Sequence, residues 1–453
     1  MATIATVLGR PRPSEKAFPR SESRRVPRPT AIARYLFVFT LMAAPTAFGS
    51  VQTWAWASLA VIAAILLVLW ALGCAHSRVV TIRWSPLYVP AVLYLLLGVG
   101  QIASHLTLNP FATREALIKL ATSFVFLFLA VQLSADASAK LWNRFGLAVL
   151  IYSFSIASFA IIQYFTSYGL IYWKIAARDG DIFGPYVNHN NYAGLMEMLI
   201  PICMCYALYR CLKNTDQMLL IFGVCGAIAS LLLSGSRGGM ISVAAEIVIL
   251  GMVIWRWNKN RGNLRKWRVI GLVGAAGLAV VLFAVTPNSG WQRLASIAGV
   301  VQKPDVTLEN RLTVSRDALA ELRDYRWLGT GLGTFDTVFP QYQTFPTDLA
   351  WTHAHNDYVE ALTETGIVGG FIILSGLLLF VWLVFRNLRR RTDDVQWWIQ
   401  LGAALGCCGL LIHSFADFNL HIPANMAWFA VCAGISIAPV ASSRPKEGPR
   451  SGQ

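Results

Sequence analysis

The sequence predicts an all-α polytopic membrane protein of about twelve transmembrane helices, with one large helical loop on the outer side. Three observations predict it. Of 453 residues, 56% are hydrophobic and only 13% charged, with 16 tryptophans and a mean hydropathy of +0.53, which is more apolar surface than a globular core conceals. Apolar stretches recur at roughly the 20-residue length that crosses a hydrocarbon core. The period-two alternation of a β-barrel is missing, so helices are left as the structure that satisfies its own backbone in lipid.

Residues 1–34 open the chain as a basic, proline-rich stretch that reads as a disordered cytoplasmic tail suited to anionic lipid heads. No secretory signal is expected there, because the apolar run follows too late and lacks a cleavage pattern. Residues 35–286 then hold nine expected spans, at 35–49, 51–74, 86–104, 115–133, 145–168, 192–210, 217–234, 239–255 and 269–286. A long outer segment, 287–366, separates these from three more at 367–385, 396–415 and 421–440, and 441–453 form a second cytoplasmic tail. Most of the 38 lysines and arginines fall in alternate loops and in the two tails, which sets both termini on the cytoplasmic side. The net charge of +15 is therefore a topology signal, and a nucleic-acid partner is not expected. All 8 cysteines lie in or at the ends of expected spans, so no disulfide framework is read.

The outer segment looks ordered. TLENRLTVSRDALAELRDYRWLG places Leu312, Ser315, Leu319 and Leu322 at helical spacing, and GTGLGTF follows with Gly329, Gly331 and Gly333 for tight turns. These glycines do not make a nucleotide loop, since no strand precedes them and no GK[ST] follows. In WTHAHNDYVEALTETG, residues 351–366, Asp357 and Glu360 are spaced as a capping box for a helix running to Gly366. That reading leaves His353, His355 and Asn356 unexplained.

Six of the 7 histidines (His105, His189, His353, His355, His413 and His421) map to the outer side, and His76 alone maps inside. Such a group suggests general-base chemistry at a membrane surface, although His105 and His421 taken singly read as interfacial residues. Arg237, in the tight outer turn LSGSRGGM, offers a fork of donors suited to phosphate oxygens, or else an anchor or a salt bridge to Glu246. Arg311 and Arg316, taken alone, read as a solvated helix face. Glu246 and Lys119 lie inside spans and read as a structural pair or as cavity-facing groups. GPYVNHNNYAGLMEMLIP adds Asn188, His189, Asn190, Asn191 and Glu197, and HSFADFNLHIPANM adds His413, Asp417, Asn419 and Asn425; these suit sugar hydroxyls, or ordinary helix caps. His353-x-His355 has no HExxH or CxxC beside it, so no metal is expected.

LSGSRGGM, ENRLTVSRDALAELRDYRWLGTGLGTF, THAHNDYVEALTETGIVGG and HSFADFNLHIPANM together resemble the signature of the bacterial O-antigen ligase and polymerase superfamily, and GPYVNHNNYAGLMEMLIP is similar to the Asn-rich entry of a middle span there. The resemblance covers about residues 35–440; each motif is weak alone, and the ordered set is specific. It implies a polytopic inner-membrane glycosyltransferase of the GT-C type that needs no nucleotide sugar, metal or cofactor and inverts the transferred centre. The implied donor is a glycan on undecaprenyl diphosphate, and the implied acceptor is lipid A-core, another repeat unit or polysaccharide, or a protein, met on the periplasmic face. The family's outer-loop histidine maps onto His355 in preference to His353, and its essential arginines onto Arg237 and Arg311. On this reading the arginines clamp the diphosphate, His355 activates the acceptor, and Asn356 or Asp357 orients the imidazole. Arg316, Asn188, His189 and Asn191 are further substrate-binding candidates. A transporter or flippase for lipid-linked or anionic substrates is the rival, and would place ionisable groups near the bilayer midplane in two related halves.

Overall fold

A computed structural model describes residues 3–7, 27–77, 79–135, 137–176, 182–213, 218–258, 306–346, 350–389 and 394–439. The chain is mostly helical. Helices α1 (Arg28–Thr46), α2 (Thr53–His76), α3 (Tyr88–Ala103), α4 (Pro110–Ala135), α5 (Ala139–Thr166), α6 (His189–Leu212), α7 (Met218–Ser234) and α8 (Arg237–Asn258) stand where the first eight spans are expected. The ninth, 269–286, lies outside the described residues, as does the start of the long outer segment. Then come α9 (Val306–Ala318), α10 (Asp357–Leu388), α11 (Val395–His413) and α12 (Pro423–Ile437). Among the described residues, seven helices are long and apolar enough to cross a membrane, whereas α3, α7 and α12 are shorter. A helix the length of α12 rises only about 22 Å, and it is enclosed by its neighbours: Trp428 is buried and donates its indole N–H to Leu41 O at 2.8 Å.

At the centre stands α6, whose residues from Asn190 to Cys203 are buried throughout. It packs on α11 through missing side chains. A Cβ at Gly402 would lie 2.6 Å from Ile202 Cα, and one at Gly406 2.8 Å from Met198 Cα, so only glycine lets these backbones come so near. On α12, Gly434 meets Ala130 of α4 in the same way.

Two small antiparallel pairs were not foreseen. Strand β1 (Thr3–Val7), inside the expected tail, pairs with β2 (Val79–Arg83), with Thr3 opposite Arg83 and Val7 opposite Val79. Both strands, TIATV and VVTIR, are rich in β-branched residues, and β2 is clasped to α4 by Arg83 N→Gln132 Oε1 (2.8 Å) and Gln132 Nε2→Arg83 O (2.9 Å). Residues 170–171 and 175–176 form β3 and β4 between α5 and α6.

The part of the outer segment that is described is docked firmly. Gly329, Gly331 and Gly333 take φ of 70°, 116° and 73°, as their spacing suggests. α10 breaks at Gly366 (φ 64°, ψ −167°), a conformation open to glycine alone. There the chain at 326–331 lies against the helix through Thr330 N→Thr363 O (3.1 Å), Gly331 N→Glu364 O (3.0 Å) and Ile367 N→Arg326 O (2.9 Å). Gln101 of α3 ties the junction by donating to Leu328 O (2.6 Å) and Glu364 O (2.8 Å).

The face of α9 differs from expectation. Leu312 and Leu319 are exposed, while Val314 and Ala318 are buried in a small core with Phe335, Phe339 and Ala354. Aromatic rings from the later loop supply that core, so the helix presents Val314 and Ala318 to it and turns Leu312 out, with Leu319 exposed just past its end. Arg311, Val314, Ser315 and Ala318 thereby share the inward face at i, i+3, i+4 and i+7.

Candidate functional site

Loop 350–356, the first turn of α10, the inward face of α9 and the turn between α11 and α12 meet at one end of the bundle. Asn356 starts α10: its side-chain oxygen accepts from Tyr358 N (3.1 Å) and Val359 N (3.2 Å). The expected capping box is thus replaced, because Asn356 satisfies the first turn and releases both carboxylates for histidines. Asp357 N in turn donates to Ser414 O at 3.0 Å, which pins the end of α11 to the start of α10.

Asp417 is the pivot. It is fully buried, with Oδ1 3.6 Å from His355 Nδ1 and Oδ2 3.6 Å from Arg311 Nη1. Both separations exceed hydrogen-bond length, so the acid meets the Arg311 guanidinium as charge on charge and stands close to His355 without a hydrogen bond. Arg311 is held by a second bond, Nη1→Ala416 O at 2.9 Å, and Asp417 Oδ1 accepts from Phe418 N at 2.8 Å. Burial alone would raise the acid's pKa, yet His355 and Arg311 reverse this and hold it well below the ordinary carboxylate range. His355 sits in the left-handed region (φ 49°), where a non-glycine residue is uncommon. Trp351 meets it edge-on at 5.7 Å, and Phe418 at 4.9 Å.

Phe418 divides this group from a second one. On its other face His353 stacks at 4.3 Å and 18°. His353 Nδ1 lies 2.8 Å from Glu360 Oε1, while Glu360 Oε2 accepts from Ala354 N at 2.9 Å. His421 bridges the acids, with Nδ1 2.8 Å from Asp357 Oδ1 and Nε2 3.2 Å from Glu360 Oε1. Burial pulls the pKa of His421 down, but the Glu360 carboxylate and the bond to Asp357 win and hold it up at about 10.

Several expectations are corrected here. His421 is no isolated interfacial residue, and Asp357 serves it rather than His355. Asn356 is spent on the helix, leaving Asp417 as the carboxylate that faces His355. Arg316, five residues and so about 140° round the helix from Arg311, is exposed. Asn188 caps α6 through Asn190 N (2.8 Å), and Asn191 O accepts from Asn425 Nδ2 (2.8 Å), so this cluster braces α6 against α12. His189 opens α6 beside it. Arg237 is the first residue of α8; the adjoining Gly238 lies directly against the His413 ring, one residue before the Ser414 carbonyl that holds Asp357. The Arg237 turn therefore belongs to the same end of the bundle. The pairing of Lys119 with Glu246 is not formed: Lys119 bonds Glu115 at 2.6 Å, and both Glu246 carboxylate oxygens are buried without a hydrogen bond.

Sequence reasoning named Asp417 as a sugar-binding or capping candidate, His421 as an interfacial residue and Glu360 as half of a capping box, but did not join them to His355 and Arg311. The signal was present in HSFADFNLHIPANM, whose acid and histidine stand four apart around Phe418 in a turn too short to bury them apart.

Residues 221–374 match the family model described as O-Antigen ligase, the family to which the motifs pointed. A curated relative from Haemophilus influenzae, described as an uncharacterized protein, is 21% identical over 341 residues, covering 69% of this chain and 84% of that one. The matched stretch contains Arg237, Arg311 and His355, and ends before Asp417 and His421.

Proposed function

From an O-antigen ligase segment that carries Arg237, Arg311 and His355, we propose that this multi-pass bacterial membrane protein transfers a glycan from an undecaprenyl-diphosphate carrier to an acceptor hydroxyl. The reaction is placed on the periplasmic face of the inner membrane, with both termini cytoplasmic and a bundle of GT-C type. Acceptor classes are lipid A-core, a further repeat unit or a protein. The observation that carries the reading is the buried Asp417 between His355 Nδ1 and Arg311, each at 3.6 Å.

With Nδ1 turned to Asp417, the imidazole has Nε2 left for the acceptor. As the acceptor oxygen bonds to the anomeric carbon, its proton passes to His355 Nε2, and the bond from that carbon to the diphosphate oxygen breaks. The imidazolium so formed is stabilised by Asp417, which remains ionised. The departing diphosphate gains negative charge, which Arg311 and Arg237 offset in place of a metal. Arg311 suits this task because one guanidinium nitrogen is anchored on Ala416 O and Asp417 while its side chain stays 25% exposed. His355 is the base in this reading, since it shares Asp417 with Arg311, whereas His353 stands across Phe418 with Glu360 and His421.

The test is transfer of a carrier-linked glycan to candidate acceptors by the purified full-length protein. Loss of turnover in His355→Ala and Arg311→Ala, with folding intact, supports the reading. Undiminished transfer in His355→Ala overturns it, and carrier movement across vesicles without transfer would favour the flippase.

A further inference from the structure

The chemistry above leaves His353, Glu360 and His421 without a task. One ligating atom from each, contributed by three separate stretches of chain, lies within 4.8 Å of the other two. From this convergence we propose a binding site for one divalent transition-metal ion of the zinc class, held by His353 Nδ1, Glu360 Oε1 and His421 Nε2. The proposal does not depend on the transferase reading.

Four features support it. Glu360 Oε1 is 2.8 Å from His353 Nδ1 and 3.2 Å from His421 Nε2; ligands of a tetrahedral ion stand roughly 3.4 Å apart, so small shifts suffice. Asp357 Oδ1 holds His421 Nδ1 at 2.8 Å, which fixes the ring with Nε2 turned to the ion, the metal taking the place of the Nε2 proton, as carboxylates behind metal-bound histidines do. Glu360 Oε2 is engaged by Ala354 N, so the carboxylate is aimed before any ion arrives. The histidines are 28% and 26% exposed while Glu360 is 2% exposed, which gives an entry path and a fourth position for water. Two imidazoles with one carboxylate suit zinc, and disfavour magnesium or calcium, which prefer all-oxygen sites. The ion would fasten the loop bearing His355 to the turn bearing Asp417, across Phe418, without touching the reacting groups.

The full-length protein is purified in detergent with a tag free of histidine and without chelator, its metal content is measured, and the stripped protein is titrated with Zn2+ and with Co2+. One equivalent per chain is expected, with visible ligand-field absorption for Co2+, and both vanish in His421→Ala and Glu360→Gln while His76→Ala retains them. If those variants fail to fold, Asp357→Asn keeps all three ligands and should weaken Zn2+ binding by about 10–100-fold. The proposal is overturned if the folded, stripped wild type binds neither ion stoichiometrically, the trio then being bridged by protons alone, or if binding is unchanged in His421→Ala or Asp357→Asn. Metal content is read independently of turnover: stoichiometric metal in a chain that transfers no glycan sinks only the transferase reading, and transfer by a chain that binds no metal sinks only this one.

Discussion

Asp417→Asn removes one charge and almost no volume from the middle of the proposed site. In the wild type the carboxylate faces His355 at 3.6 Å, and at an effective dielectric of about 20 two unit charges so placed attract by about 4–5 kcal/mol. That is an upper figure, since the asparagine keeps a dipole. Half of it, about 2.3 kcal/mol, corresponds to a roughly 50-fold fall in turnover. The loss should appear in kcat with KM for the carrier-linked glycan little changed, because the charge matters once the imidazole has taken a proton. The assay is steady-state transfer by purified protein in lipid nanodiscs, compared with His355→Ala as the floor. Turnover within twofold of wild type, with His355→Ala inactive, would refute the idea that Asp417 supports the base. A loss confined to KM would instead assign it to substrate binding.

The same acid predicts a pH dependence of stability. Its folded pKa is depressed, so its contribution is complete above the unfolded value of about 3.9 and is lost as pH falls toward the folded value; the melting-temperature gap between wild type and Asp417→Asn should be steady from pH 7 to 5 and narrow below about pH 4, and a gap widening in acid would contradict the sign. Gly366→Ala forces a side chain into a glycine-only conformation and against the Trp327 backbone, costing on the order of 1–3 kcal/mol from strain alone, readable as a lower melting temperature. Glu246→Gln should not lower the melting temperature at neutral pH, because neither carboxylate oxygen has a hydrogen-bond partner to lose; a marked drop would mean that the charge is paired. Arg316→Ala should keep transfer within about threefold of wild type, whereas Arg311→Ala should lose about 100-fold or more, as expected of a donor lost at a developing charge.

Hydropathy made most of the helices legible, since every predicted span inside the described residues has a helix at its place. It could not show that α12 is short and enclosed, because a buried helix and a lipid-facing one are equally apolar. Of the proposed site, His355 stood out as chemistry out of place in an oily chain, while Arg311, which alone read as a solvated helix face, entered only through the family resemblance. Their partner was not joined to them. Asn356 and Asp357 stand next to His355 in sequence, and proximity along the chain suggested that one of them steadies the ring; helix geometry instead gives Asn356 to the cap and turns Asp357 toward His421. The inward face of α9 was misread for a related reason: its burial is decided by Phe335, Phe339 and Ala354, which the helix's own periodicity does not contain. Strand β1 went unseen because a five-residue β-branched run has no meaning until its partner, more than seventy residues later, is known.

The placement of Asp417 and His421 in the last turn of the bundle gives the protein a schedule. While the ribosome is still making α11, the imidazole of His355 has no Asp417 behind it and Asp357 has no His421 to grip, so on the proposed reading a nascent chain inserted up to that point carries Arg311 and His355 in the segment before α10 yet transfers nothing. Competence arrives with the final pair of helices. A product truncated before residue 413 would therefore sit in the bilayer without consuming carrier, and a separately expressed α11–α12 fragment that docked on it should bring the missing acid back.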